Sequence, residues 1–195
     1  MKRIGIIGAG IIGTALAYHL TKCDDVDVIV FEKNQIGSGT TAKSAGTLCL
    51  IDDSLPYEFF KQRVTCLNTY KKMNDDTHGE SEFIKSGTLV VSPTKAEMKR
   101  AKLHVEASQL AGFNAKFIED PEGLVKYLPD LNSEGLLGGA WTPDDGYNNP
   151  TAASLIYARW AREQGAKFIT HANVNGIQTK DGVVTGIQSS KGDYE

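Results

Sequence analysis

The sequence predicts an α/β fold: a parallel sheet is begun, interrupted by an α+β segment, and then resumed. Arg3 to Ile7 has the short apolar run of a buried strand. Ile11 to Lys22 has helical spacing, with Ile12, Ala15, Leu16 and Leu20 expected inward. Val26 to Phe31, Val-Asp-Val-Ile-Val-Phe, is nearly all β-branched or aromatic and reads as a second strand after the turn Cys23-Asp24-Asp25. Strand, helix and strand so close together make a βαβ unit, whose strands must run parallel.

The turn between the first strand and the helix is Gly8-Ala9-Gly10-Ile11-Ile12-Gly13. A lone G-x-G-x-x-G is a weak signal, but here it leaves a strand and opens a helix, the context a dinucleotide site requires. Gly8 permits the tight turn, Gly10 lets a pyrophosphate approach the backbone, and Gly13 lets helix and strand pack closely. The helix start then offers N–H groups and a positive dipole end to phosphate. Glu32 stands 19 residues beyond Gly13, at the end of the second strand. Its carboxylate suits a ribose diol and repels a 2′-phosphate, which disfavours NADP. This is a Rossmann-type start of the glutathione-reductase-like kind. FAD and NAD share the fingerprint. The segment Gly37-Ser38-Gly39-Thr40-Thr41-Ala42-Lys43-Ser44-Ala45-Gly46 supplies hydroxyls and bare backbone just beyond the acid, which favours FAD.

The middle of the chain mixes helices and strands. Pro56 is expected to start a helix to about Asp75, with Phe60, Val64 and Leu67 on one face. Phe83-Ile84 and Thr88 to Val91 read as strands around Ser86-Gly87. Ser92-Pro93, or the capping box Thr94…Glu97, starts a helix to about Ala111. Ala115 to Ile118 and Leu136 to Trp141 read as strands, Pro121 to Tyr127 as a short helix, and Asp144-Asp145-Gly146 as a turn. Asn149-Pro150 starts a helix filled by Ala152, Leu155, Ile156 and Trp160, which Gly165 stops. Lys167 to Thr170, Val174 to Thr179 and Val183 to Gln188 are short strands, the last two joined by the hairpin signal Asp181-Gly182.

Three places together resemble a known family. They are the run Ile4 to Gly13 continuing through Ala17, Leu20 and Glu32; the loop Gly37 to Gly46; and Asp145-Gly146-Tyr147-Asn148-Asn149-Pro150 followed by Gly165-Ala166 and a strand pair containing Val174. In that order they resemble the D-amino-acid oxidase superfamily of FAD-dependent oxidoreductases, in particular its glycine oxidase, sarcosine oxidase and dimethylglycine dehydrogenase branch. The resemblance implies an FAD cofactor, with Gly8, Gly10, Ile11, Ile12 and Gly13 at the pyrophosphate. It implies Glu32 and Lys33 at the adenosine ribose, and Thr40, Thr41, Ser44, Ala45 and Gly46 along the diphosphate–ribityl–isoalloxazine path. Val174 would present its backbone to the adenine edge. Some relatives attach FAD through a histidine in the second loop; the matching position here is Lys43, which implies a non-covalent cofactor.

The resemblance also implies three segments, residues 1–50 and 146–195 forming the FAD-binding domain around a partial substrate-side region at 51–145. The family's later flavin-contacting motifs, Ala-x-Gly and Gly-Asp or Pro-x-x-G, lie past Glu195. The expectation is therefore an N-terminal fragment, inactive alone, or one partner of a split enzyme that needs a second subunit. The implied reaction is oxidation of an amine or amino acid by hydride transfer to flavin. Three alternatives stay open: a 2-hydroxy-acid or glycerol-3-phosphate flavoenzyme, an NAD-dependent dehydrogenase, and a non-catalytic nucleotide-binding module.

Composition narrows the rest. The formal net charge is −3, with no lysine- or arginine-rich run, which argues against nucleic acid. Lys2 and Arg3 before an apolar stretch superficially resemble a signal peptide, but the three glycines and the missing cleavage site argue against one. No stretch has the length of a membrane helix. Cys23, Cys49 and Cys66 are far apart without C-x-x-C spacing and read as reduced thiols of a cytoplasmic protein. His19, His78, His104 and His171 share no metal spacing, so no metal is expected. Trp141 and Trp160 are expected in packing roles, and no nucleophile motif or catalytic residue is identified.

Overall fold

The computed structural model describes residues 2–51 and 57–195. The chain divides into two compact units, Met1–Ala45 with Asn149–Glu195, and Gly46–Asn148. The first unit contains β1 (Lys2–Ile7), α1 (Ile11–Leu20) and β2 (Val26–Phe31). The strands pair in parallel, Ile4 opposite Val28 and Ile6 opposite Val30. The second unit contributes β3 (Thr47–Leu48), α2 (Phe60–Asp76), β4 (Thr88–Ser92), α3 (Lys95–Leu110), β5 (Lys116–Ile118), α4 (Pro121–Val125), β6 (Gly138–Thr142) and β7 (Gly146–Tyr147). The chain then returns to the first unit through α5 (Pro150–Glu163), β8 (Lys167–Ile169), β9 (Val174–Lys180), β10 (Val183–Ser189) and β11 (Gly192–Tyr194).

In the first unit β8 joins β2 in parallel, giving the order β1-β2-β8. Alternation along β2 decides what each face meets. Val28 and Val30 pack with Ile6, Ala17, Ala158 and Ala161, the side of α1 and α5. Ile29 and Phe31 pack with Ala172 and Ile187, the side of the antiparallel sheet β11-β10-β9. Burying each of these valine, isoleucine and phenylalanine side chains stabilises the fold by roughly 1.5–3 kcal/mol. Close packing here depends on a missing side chain: a Cβ on Gly5 would stand 2.4 Å from Cδ1 of Ile187. The Asn149 side chain caps α5 by accepting from Thr151 N and Ala152 N, with Pro150 in the first turn, as its sequence predicts. Asp181 and Gly182 both take positive φ, 51° and 78°, as a two-residue hairpin requires.

In the second unit β6 is the middle strand of an antiparallel sheet, order β4-β6-β5. Ala101 and Val105 of α3 pack with Ala115 and Ala140. Thr94 and Glu97 form the expected capping box on α3. Leu50, Phe60, Leu67 and Ala107 form a separate buried cluster that holds α2.

Several expectations are corrected. Ile12 is 82% exposed and Leu16 is exposed as well; α1 instead buries Thr14 and Ala17. The helices α1 and α5 meet at Ala17, Ala158 and Ala161 in the core and at the rings of Tyr18, Tyr157 and Trp160. Leu155 is likewise exposed, while Ala153, Ile156, Tyr157, Ala158 and Ala161 of α5 are buried. Pro56, the expected helix start, lies outside the described residues; from Tyr57 a 3-10 turn, Tyr57–Phe59, leads into α2. Phe83-Ile84 is no strand: Ile84 makes a single bridge to Tyr147. The two-residue ladder β3–β7 and the short strand β11 were not expected.

Candidate functional site

The phosphate turn has the backbone its glycines permit. Gly8 sits at φ 99°, a conformation side chains disfavour, and its N–H donates to Phe31 O at 2.7 Å. A Cβ on Gly13 would lie 1.9 Å from Gly8 O, so only glycine lets α1 fold back on the turn. A Cβ on Gly10 would lie 2.9 Å from Thr41 Oγ1. The first helical bond of α1 runs from Thr14 N to Gly10 O, so the amides of Ile11, Ile12 and Gly13 precede the helical ladder. The Ile11 amide donates to Thr41 Oγ1 at 3.1 Å.

Glu32 follows β2 directly. Its N–H donates to Ile169 O, and its own carbonyl accepts from Ala172 N, which fixes the backbone on both sides. Oε2 accepts from Ala9 N at 2.8 Å, and Oε1 accepts from Asn34 N at 2.8 Å. The carboxylate therefore ties the phosphate turn to the end of β2. Each oxygen has a second acceptor site, so two remain for a diol.

A cavity of about 250 Å³ opens beside this carboxylate, lined by Ile7, Gly8, Glu32, Lys33, Asn173 and Val174 among others. It gathers four residues predicted for nucleotide binding: Gly8, Glu32, Lys33 and Val174. The loop beyond them divides. Thr41 is buried, on a 3-10 turn Thr41–Lys43, and its hydroxyl accepts from the first amide of α1. Thr40, Ser44 and Ala45 are exposed. Gly46 belongs to the other unit, where φ of 68° and a bond from Asn148 N to its carbonyl open β3. Sequence reasoning missed the Ala9 amide, whose role needs no side chain. It also missed Asn173, whose place before Val174 was the available signal, and Thr14, which donates to Gly10 O at 3.0 Å from inside the helix.

A second carboxylate is built into the other unit. Asp145, expected in a turn, is fully buried. Its oxygens accept from Leu50 N, both at 3.2 Å, and from the Thr142 hydroxyl. Burial pushes its carboxyl above the ordinary range, against the hydrogen bonds from Thr142 and Leu50. Its neighbour Asp144 pairs with Lys85 at 2.6 Å, and the hydrogen bond from Lys85 holds it below that range. No cluster of His, Cys, Asp and Glu able to hold a metal occurs among the described residues. No helix among them is long and apolar enough to cross a membrane.

Comparisons with known proteins bear on the fold and the family. The chain is 30% identical to glycine oxidase from Bacillus licheniformis, over 97% of this chain and 50% of that protein. It is 25% identical to the mitochondrial dimethylglycine dehydrogenase of Homo sapiens, over 96% of this chain and 21% of that one. It thus spans about half the length of the first relative and a fifth of the second. The crystal structure of L-proline dehydrogenase from P. horikoshii superposes with a TM-score of 0.84 and 26% identity, over 98% of this chain and 50% of that one. The α/β fold around a parallel βαβ start is that of these flavoenzymes. Residues 3–195 match the model described as FAD dependent oxidoreductase, and the chain belongs to that family.

Proposed function

We propose that this chain is the nucleotide-holding portion of an enzyme that oxidises an amine or amino acid of the glycine, sarcosine or D-amino-acid type. The observation that carries the reading is the cavity where Gly8, Glu32, Lys33 and Val174 converge beside the start of α1. These residues fit the adenosine diphosphate half of FAD. Glu32 has acceptor sites to spare for ribose hydroxyls, and Lys33 supplies a cation at the same rim. The amides of Ile12 and Gly13 would face the pyrophosphate, beside the Ile11 amide that already donates to Thr41 Oγ1, with Gly10 leaving it room. Val174 would offer its backbone to the adenine edge. Thr40, Thr41, Ser44, Ala45 and Gly46 would follow the chain of the cofactor toward its ring.

When bound, FAD supplies the acceptor for a hydride from the carbon that bears the amine. This chain's contribution is binding and orientation. Glu32 holds the turn and the ribose together, and Thr41 fixes the start of α1. We assign residues 51–145 to the substrate side. The names of the relatives, glycine oxidase, dimethylglycine dehydrogenase and L-proline dehydrogenase, support an amine or amino-acid substrate. The free thiols of Cys23, Cys49 and Cys66 support a reducing compartment, the cytoplasm. The absence of a basic run supports a small molecule over nucleic acid as ligand.

Flavin titration of the chain tests the site: Glu32→Ala and Gly10→Val should each lose FAD binding, and full occupancy in either variant would overturn it. Anaerobic bleaching of the complete, flavin-loaded enzyme by glycine, sarcosine, proline and D-amino acids tests the reaction. Bleaching only by hydroxy acids would overturn the amine reading.

A further inference from the structure

Two of the three cysteines share one groove. Cys49 follows β3 and Cys66 lies on α2, both in the second unit, whereas Cys23 belongs to the first. None of the three is in a disulfide. A groove of about 320 Å³ is lined by Leu48, Cys49, Phe59, Cys66 and Leu67 among others. The two thiols differ in access: Cys66 is exposed and Cys49 is half-buried. Cysteine ordinarily behaves as a small buried hydrophobe. One left exposed on a helix, beside a groove that holds a second and less accessible thiol, has the arrangement of a redox pair.

The backbone under each thiol is fixed. Before Cys49, Thr47 and Leu48 pair with Tyr147 and Gly146. After it, the Leu50 amide donates to the buried Asp145 carboxylate. Next to Cys66 on α2, Leu67 is fully buried. Leu50 and Leu67 belong to one buried cluster, and Leu48 packs against it. The leucines on both sides of Cys49 and the one beside Cys66 thus meet in the same core, which holds the two thiols on neighbouring elements along the groove. A disulfide asks for Cα atoms roughly 4.4–6.8 Å apart, a spacing for directly packed neighbours.

We propose that Cys49 and Cys66 are a peroxide-responsive dithiol that closes to a disulfide across this groove and reopens with a thiol reductant. Hydrogen peroxide is the oxidant. The exposed Cys66 reacts first: its sulfur takes one peroxide oxygen, the O–O bond breaks, and a sulfenic acid forms with release of one water. The Cys49 sulfur then attacks the Cys66 sulfur. The S–S bond forms, the S–O bond breaks, and the oxygen leaves as a second water. Two thiols and one peroxide give one disulfide and two waters, each sulfur losing one electron. A thiol reductant such as glutathione returns the two electrons and two protons. Transient, redox-sensing disulfides are the kind that a reducing compartment allows. The closed bridge ties β3 to α2 and fills the groove between the two thiols. Nothing in this inference depends on the nucleotide site.

The test treats the purified chain with hydrogen peroxide, alkylates the remaining thiols and maps the peptides by mass spectrometry. The expected result is a joined Cys49–Cys66 peptide, two hydrogens lighter than its separate parts. Two of the three alkylatable thiols are lost, Cys23 stays labelled, and dithiothreitol restores both. The urea midpoint of unfolding should rise on oxidation of the wild type and stay unchanged in Cys66→Ser. In Cys49→Ser the oxidation of Cys66 should stop at a sulfenic acid that dimedone captures. Thiols that resist peroxide, or a Cys66 that proceeds to sulfinic acid in the wild type with no joined peptide, overturn the inference. A joined peptide that forms only in urea, or that lowers the urea midpoint, also overturns it, because the bridge would then not fit the folded groove. A covalent dimer through Cys23 or Cys66 on a non-reducing gel, in place of the internal bridge, does the same.

Discussion

Glu32 and Asp145 make the same kind of contact in two different settings. Each carboxylate accepts backbone N–H groups from a distant stretch of chain: Glu32 from Ala9, Asp145 from Leu50. Asp145 is sealed in, its bonds closed by the Thr142 hydroxyl, and what it does is structural. Glu32 lines a cavity and keeps acceptor sites turned to it. A carboxylate that organises backbone becomes a binding group when one side of it is left open. The difference between the two units is therefore one of exposure around similar devices, and paired substitutions can separate them.

The largest effects are expected at two glycines with the same steric constraint. A Cβ on Gly13 would stand 1.9 Å from Gly8 O, and one on Gly139 would stand 1.9 Å from Val90 O. Gly13→Ala and Gly139→Ala should each lower stability by about 3 kcal/mol, the upper range of overpacking, read as the urea midpoint of unfolding. Only Gly13→Ala should also cut FAD affinity, by about 100-fold, because it displaces the turn that faces the phosphates. Equal losses of affinity in both variants would show that the site depends on global stability and not on the turn.

Removal of the carboxylates comes next. Asp145→Ala leaves the buried Leu50 amide without its acceptor, while the Thr142 hydroxyl keeps Thr88 O at 3.3 Å, and should cost about 2 kcal/mol. Glu32→Ala should cost about 1 kcal/mol, since removing a carboxylate that lines the cavity leaves room for water at the Ala9 amide, and should lower FAD affinity at least tenfold. Titration calorimetry against denaturant melts gives both numbers. A Glu32→Ala variant less stable than Asp145→Ala would reverse the comparison.

Two threonines repeat the pattern on a smaller scale. Thr94 caps its own helix through Glu97 N, whereas Thr41 reaches Ile11 N of α1 from a separate turn. Thr94→Val should cost about 1 kcal/mol of stability and leave FAD affinity unchanged. Thr41→Val should cost a similar stability and several-fold in affinity, because its Oγ1 lies where Gly10 meets the loop.

How much of this was legible in the sequence depended on whether the signal was local. The phosphate turn, the Asn149 cap, the Thr94–Glu97 box and the Asp181-Gly182 hairpin are short-range devices, and each occupies its expected place. The inward face of α1 was not legible. Hydrophobic periodicity weighs large side chains, so Ile12 and Leu16 were expected inside, but the buried face of α1 carries Thr14 and Ala17. Asp145 read as one of two turn aspartates because nothing local distinguishes it from Asp144; its acceptor role needs Leu50, far away in sequence. The same holds for the two-residue ladder of β3 and β7, which exists only by tertiary pairing.

The smallest expected effect is pH dependence, and among the described residues the shifted groups, Asp144, Asp145 and Lys71, all lie in the second unit. Asp145 is raised, first by burial, so its folded form prefers the proton. Its contribution is fully present below the ordinary carboxyl value of 3.8 and is lost as pH rises through the raised folded value. Asp144 is lowered, first by the Lys85 hydrogen bond, so its contribution is present above 3.8 and is lost as pH falls through the lowered folded value. Urea melts from pH 3 to pH 7 should therefore show opposite trends. On acidification, wild type should gain stability relative to Asp145→Asn and lose it relative to Asp144→Asn. The Asp144 trend should be the weaker, since Lys85 is 55% exposed and solvent screens the pair, and salt should weaken it further. If Asp145→Asn instead gains on wild type as pH falls, its carboxylate is stabilised by its hydrogen bonds more than it is penalised by burial. The contrast with Glu32 would then rest on exposure to ligand alone.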